Sequence, residues 1–373
     1  MTIDRKKLII LLAGLIIIGL FSYLMYRVLF SPPQQPAQPV FQPNETITKK
    51  IQLEIDKVIF SPVLSTDNKT LYYFTQGDKP GIYKYDLSER QSELFFSISD
   101  ISDTSWSPDR KNAIFMVVQY PERFKTINSP FYLPDAIEFE QTYWFFNLEK
   151  QKITKLSRFV DTYIWTANNK IIFRNYNYEV EPAEDMLYEF DPATMQSVKI
   201  TNNPEGGNIK FVYADTNSVF YCPAYSESSQ SQLIHLDRQN NQSQPFINNS
   251  LSDAIASPLG NYFVATVYNE QNNRNSLMII DKNTKSLKQF DFPATFTNMI
   301  TWSQDEKTLL ISHPEEGKND QFYQVDINNQ KITEIQYQAP EYELSQSQNL
   351  FMLSDNTSLF FLSSGQLFRM GLN

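Results

Sequence analysis

The sequence predicts an all-β fold: a seven-bladed β-propeller, with six blades as the alternative count, preceded by one N-terminal transmembrane helix. Three observations carry this. From residue 46 onward, short runs rich in Val, Ile, Phe, Tyr and Trp alternate with polar turns, and long amphipathic helical stretches are hard to find. Two kinds of turn recur in step, at a spacing of about 45 residues. Near the N-terminus, residues 8 to 26 form an apolar run without a charge, long enough to cross roughly 30 Å of hydrocarbon.

The first kind of turn reads SPDRK from Ser107, TANNK from Thr166, ADTNS from Ala214, SPLGN from Ser257, SQDEK from Ser303 and SQSQN from Ser345, with DNK at Asp67 in the same slot. Its fourth position falls at Asn68, Arg110, Asn169, Asn217, Gly260, Glu306 and Gln348. An apolar strand follows each. The second kind opens at Asp86, Asn147, Asp191, Asp237, Asp281 and Asp326, each after a strand. Asp or Asn at such a point bonds its side chain to the backbone two residues on, which turns the chain. Two interleaved turn series with one period mean four strands per unit, and four-stranded units packed around a ring make a propeller.

The units resemble the WD40-like propeller repeats of the TolB type, whose signature is close to F-S-P-D-G-K, an apolar strand, then L-Y-x-x-D-L. Phe60 to Pro62, WSPDRK at Trp106, ASPLGN at Ala256 and WSQDEK at Trp302 carry it best. The resemblance spans nearly all of residues 58 to 373 and implies the fold, not an activity. The chain departs from the family at the turn glycine, kept only as Gly260. Asn68, Asn169 and Asn217 adopt the left-handed conformation readily; Arg110, Glu306 and Gln348 do so less readily, so another turn geometry is expected there.

The remaining segments follow from charge and composition. Residues 1 to 7 are expected in the cytoplasm, because Arg5, Lys6 and Lys7 precede the apolar run. Residues 8 to 30 are expected to be an uncleaved anchor, and residues 31 to 45, rich in proline, an extended linker. Residues 46 to 373 are the propeller, placed outside the cytoplasmic membrane. The formal charge is −10, and the first thirty residues carry four cations against Asp4, so the remainder averages −13 and repels a polyphosphate. Nucleic acid is therefore not an expected partner. The lone Cys222 excludes an intramolecular disulfide and reads as a core residue.

No catalytic motif is visible. His235 and His313 lack metal-ligand spacing and read as strand residues. No cofactor is expected, and Glu179, Glu181, Glu184 and Asp185 are only weak candidates for a metal. The long connections between second and third strands share one face of a propeller. Tyr120, Phe124, Phe131 and Tyr132 in one, with Tyr176 and Tyr178 in the next, mark a candidate binding surface. The expected function is a non-catalytic module that binds a protein, a peptide or an envelope glycan. The rival expectations are a structural subunit of an envelope complex and a lyase or glycosidase with paired carboxylates on its innermost strands. Those strands read as TSWS, YIWT and NMITWS, which offer no such pair.

Overall fold

The computed structural model describes residues 43–373 except 120–139, 157–158, 205–206, 224–231, 248, 250, 252, 270–273, 291, 293–296, 315–317, 339–342, 354 and 373. Among the described residues no helix is long and apolar enough to cross a membrane. The expected anchor, residues 8 to 30, lies outside them.

The described chain is all β. Five four-stranded sheets follow one another, covering residues 60–97 (sheet I), 101–155 (sheet II), 160–202 (sheet III), 209–245 (sheet IV) and 253–290 (sheet V). An eight-stranded sheet takes residues 300–338, residues 348–371 and the N-terminal strand Glu45–Ile55. Inside each four-stranded sheet, consecutive strands pair antiparallel. The first strand of each unit is innermost. Phe60–Leu64 of sheet I packs against both Ile101–Trp106 of sheet II and Gln348–Met352 near the C-terminus, so the first and last units meet and the ring closes. This is a β-propeller.

The turns explain why the period is so regular. Ser107 Oγ donates to Asp109 Oδ1 (2.6 Å), Asp109 Oδ1 accepts from Lys111 N (3.1 Å), and Ser107 Oγ accepts from Asn112 N (2.9 Å). Arg110 between them sits at φ +61°. The same net recurs around Ser65, Thr166 and Ser303. In the second series Asp86, Asp191, Asp237, Asp281 and Asp326 each accept a backbone N–H two residues on, as expected of an Asx turn.

Three expectations about the first series need correction. Arg110 and Glu306 do adopt the left-handed conformation, at φ +61° and +57°. Gln348 is no turn residue: it lies on the inner strand Gln348–Met352, and the turn comes eight residues later at Asn356, φ +59°. Asn217 is not among the left-handed residues; Asp215 Oδ1 bonds Asn217 N and Ser218 N instead.

The departures from glycine have a physical reason, because the fourth position reaches back to the preceding turn. Arg110 Nη1 donates to Ser65 O (3.2 Å), and Asn169 Oδ1 accepts from Asp109 N (2.9 Å). Glu306 accepts from Leu259 N (2.6 Å) and Asn261 Nδ2 (2.7 Å). At Gly260 the preceding sheet fills the space instead: a Cβ would lie 2.2 Å from the Tyr213 ring.

Cores lie between neighbouring sheets. Phe74 and Ile82 of sheet I join Ile101, Ala113, Phe115 and Phe146 of sheet II. Phe220 and Phe246 of sheet IV join Phe263 and Met278 of sheet V. Cys222 is buried in that second cluster. Each such aromatic contributes about 1.5–3 kcal/mol by leaving water.

The strand Glu45–Ile55 runs beside the C-terminal strand over half of its length. Ile51, Gln52, Leu53 and Ile55 pair antiparallel with Met370, Arg369, Phe368 and Leu367. Its first half, Glu45 to Lys50, pairs in parallel with Thr333 to Gln338. One strand thus covers two open edges. Ile51 is buried with Phe322, Ile335, Phe361 and Phe368.

Candidate functional site

The inner strands are irregular where they enter the ring, at the end away from the tight turns. On Ile101–Trp106, Ser102 opposes Met116 and Thr104 opposes Phe115, so Asp103 is an extra residue with φ +41°. On Val160–Trp165, Val160 opposes Asn175 and Thr162 opposes Arg174, so Asp161 is extra. Register shifts also occur on Phe60–Leu64, Ile209–Ala214 and Gln348–Met352. A bulge re-aims the side chain it carries, and bulges gather beside active sites. Here two neighbouring inner strands each carry a carboxylate at the bulge.

Buried partners hold both. Tyr143, on the third strand of sheet II, donates its hydroxyl to Asp103 Oδ2 at 2.7 Å. Its ring meets Tyr163 edge to face at 5.1 Å. Burial first, then the charges of Asp103 and Asp161, push the Tyr143 phenol far above its usual range. Burial, then Asp103 and Tyr143, do the same to Tyr163. Both phenols therefore stay protonated, and both carboxylates act on Tyr143.

Asp161 accepts from Arg174 Nη1 (2.6 Å). Arg174 is only 3% exposed. Its Nε and Nη2 grip Asp185 Oδ1 and Oδ2 at 2.7 and 2.8 Å, and Nη1 also reaches Asn208 Oδ1 at 2.7 Å. Asn203 Nδ2 donates to Asp185 Oδ2 (2.9 Å). Burial works against this cation, but the hydrogen bonds and charges of Asp185 and Asp161 outweigh it and raise its pKa. The Asp161 side chain itself is 44% exposed. Buried groups thus steady carboxylates that solvent can reach. Farther round the same end, Lys210 pairs with Asp253 on the inner strand of sheet V.

Of the surface expected from sequence, Tyr120, Phe124, Phe131 and Tyr132 lie outside the described residues. Tyr176 and Tyr178 lie on the same end as the cluster. The Arg174 guanidinium sits 5.0 Å from the Tyr176 ring centre, and Tyr178 meets Phe159 edge to face at 5.8 Å. Glu179, Glu181 and Glu184 are exposed, while Asp185 turns inward to Arg174. His235 stacks on Phe220 at 4.7 Å with Nε2 2.9 Å from Ser218 Oγ, and burial lowers its pKa.

The sequence reading missed Asp103, Tyr143, Asp161 and Arg174. It began the inner strands at Thr104 and Tyr163, whereas they begin at Ile101 and Val160. Extended that far, SDTSW and VDTYIW show the paired acids that an enzyme was expected to need. That repeated Asp-Thr was the available signal.

No family model and no curated protein sequence matches the chain. Solved structures do. An oligogalacturonate lyase in complex with manganese is 11% identical, with a TM-score of 0.64 over 89% of this chain and 95% of that one. An oligogalacturonate lyase from Vibrio parahaemolyticus is 8% identical, with a TM-score of 0.63 over 88% and 98%. TolB from Acinetobacter baumannii is 17% identical over 80% and 78%, with a TM-score of 0.42, and the fold assignment rests on the lyases. These structures carry a correction. The propellers matched over nearly their whole length are enzymes, so the expectation of a non-catalytic module is withdrawn.

Proposed function

We propose that the chain is a propeller enzyme that cleaves glycosidic bonds at the long-loop mouth of its channel. The observation that carries this is the pair of bulged inner-strand carboxylates, Asp103 and Asp161, converging on the protonated Tyr143. The match to two lyases over almost the full chain supports it. In this reading Asp103, positioned by the hydrogen bond from the Tyr143 hydroxyl, delivers a proton to the departing oxygen. Asp161, steadied by Arg174, accepts one. Those two roles serve hydrolysis, where the base activates water, and elimination, where it takes a proton from carbon.

Charge favours hydrolysis of a neutral glycan. Asp161 and Asp185 against Arg174 leave a formal negative charge even with the transferred proton on Asp103, and Arg174 already makes four hydrogen bonds. A uronide carboxylate would be repelled there. Manganese does not carry over from the lyase: among the described residues no three His, Cys, Asp or Glu are grouped to hold a metal ion. No step is assigned to one.

The test is a glycan panel incubated with the full-length protein in detergent. Release of reducing ends reports hydrolysis, and the ultraviolet absorbance of an unsaturated product reports elimination. Cleavage is expected, with kcat falling about 10²–10⁴-fold in Asp103→Asn and in Asp161→Asn. Variants that cleave at the parent rate, or a panel left intact, would overturn the proposal.

Three structural readings belong with it. The eight-stranded sheet counts as two blades joined by Glu45–Ile55, which gives seven blades. Residues 8 to 30 anchor the propeller on the outer face of a cytoplasmic membrane. Envelope glycan is then the substrate within reach. Protection of the propeller from protease added to inverted membrane vesicles is the expected result; digestion would reverse the topology.

A further inference from the structure

The opposite mouth of the channel, at the tight turns, has a different character. A cavity of about 270 Å³ lies there, near the small end of the range for ligand sites. Leu64, Ile255, Ile300, Trp302 and Met352, from four inner strands, give its walls an apolar part, beside Thr301, Gln304 and polar backbone. One cation, Arg110, lies among them.

Two features of the walls point to a ligand. Arg110 is half-buried and gives one N–H to Ser65 O; among the described residues it has no carboxylate partner. Acids of the turns are committed elsewhere: Asp67 to Ser65 and Lys69, Asp109 to Ser107 and Lys111, Glu306 to Leu259 and Asn261. Burial lowers the Arg110 pKa and no acid offsets it. The second feature is Trp302. It is 4% exposed, and its buried Nε1 has no acceptor among the described residues. Trp144 and Trp165 share that state elsewhere in the ring, so Arg110 is the feature that sets this cavity apart.

Arg110 is also an unusual choice for its place. Asn68, Asn169, Gly260 and Asn356 occupy the equivalent left-handed position with residues suited to it. Glu306 is the other exception, and both of its oxygens are used by the preceding turn. Arg110 uses one N–H for that purpose and leaves the rest of the guanidinium at the cavity.

We propose that this mouth binds a small amphipathic carboxylate, its apolar body against Ile300, Trp302 and Met352 and its anionic group on Arg110. A guanidinium in partly dry surroundings favours an anion over a neutral isostere, since charge-assisted hydrogen bonds are the stronger ones. The site stands whether or not the other mouth cleaves glycans, because the two share no residue.

Hexanoate and benzoate, each paired with its amide, test this on the full-length protein by titration calorimetry and thermal shift. The acids are expected to bind at least about tenfold more tightly than the amides. Arg110→Asn suits the left-handed turn and should remove that preference while keeping the unliganded melting temperature near that of the parent. Trp302→Phe should weaken both acids. Equal binding of acid and amide, or no thermal shift at about 10 mM of either acid, would overturn the proposal. So would an Arg110→Asn protein that keeps the preference. The comparison of acid with amide needs only the parent protein, so it decides even if a variant fails to fold.

Discussion

Replacing Arg174 by Met tests whether the cluster at the long-loop mouth is a built assembly. The side chain is 3% exposed and makes four hydrogen bonds, two of them to Asp185. The Asp185 side chain is 16% exposed, so it cannot simply rehydrate when its partner leaves. Removing one member of a buried pair costs about 3–5 kcal/mol, because the other charge stays behind uncompensated. Asp161 adds little, since at 44% exposure water screens it. At about 2 °C per kcal/mol for a large domain, the expected fall in melting temperature is roughly 6–10 °C. A double-mutant cycle sharpens the result: with Asp185→Asn as background, the same replacement should cost less by about 1–3 kcal/mol, since no charge is then stranded. Differential scanning calorimetry on all four proteins gives the cycle. A fall below about 2 °C, or strict additivity, would show that the ion pair observed between Arg174 and Asp185 does not organise this end of the ring.

Gly260→Ala should be destabilising by well over about 1 kcal/mol, because the position has φ +71° and the added carbon meets the Tyr213 ring; an unchanged denaturation midpoint would refute the packing argument. Ile51→Ala should cost about 2–5 kcal/mol by opening a hole where the N-terminal strand joins the two halves of the eight-stranded sheet; chemical denaturation that shows less than about 1 kcal/mol would mean the joint contributes little. Acid should loosen the fold through its turns. Hydrogen bonds from the backbone hold Asp191, Asp281 and Asp326 below their usual pKa. Their stabilisation is complete above the unfolded value of about 3.9 and is lost as pH falls through the lower folded values. Melting temperature should therefore hold from neutrality to about pH 4 and drop below it; a flat profile down to about pH 2.5 would exclude this origin.

The sequence disclosed the fold because a propeller repeats its physics. Each Asp of the second turn series does what its chemistry requires, accepting an N–H two residues on. Most units use the same turn, so weak signals at a regular spacing reinforce one another. What stayed hidden breaks the repeat. The eight-residue misplacement of the last turn arose because SQSQN imitates the turn pattern, while the true turn at Asn356 sits in LSDNTS. Asp103 and Asp161 were missed for a related reason: alternation locates a strand by its regular part, and a bulge interrupts the alternation where the strand begins. Arg174 gave no signal either. An arginine within the apolar run IIFRN reads as an exposed strand residue, and only the fold shows Asp161, Asp185 and Asn208 closing around it.

The two mouths differ because different constraints act on the ends of the same inner strands. At the tight-turn end, three turns are fastened to the one before, through Arg110, Asn169 and Glu306. That end is fixed by its hydrogen bonds and has little freedom to carry reactive groups beyond what those side chains leave over, as Arg110 does. At the other end side chains such as Lys210 with Asp253 and Gln76 with Ile101 O join neighbouring sheets, and no turn is fastened to the next among the described residues. An extra residue can be inserted without breaking the ring, and two of the insertions are aspartates. The strain at Asp103, with φ +41°, is held in place by its bond to Tyr143, whose own strand is locked in the core of sheet II. If that is why the bulge persists, Tyr143→Phe should relax Asp103 and misplace it for proton transfer. The expected outcome is lost glycan cleavage together with faster hydrogen exchange at residues 101–105, measured by mass spectrometry. Lost cleavage with unchanged exchange would mean that Tyr143 acts on the Asp103 carboxylate alone, and the bulge would need another support.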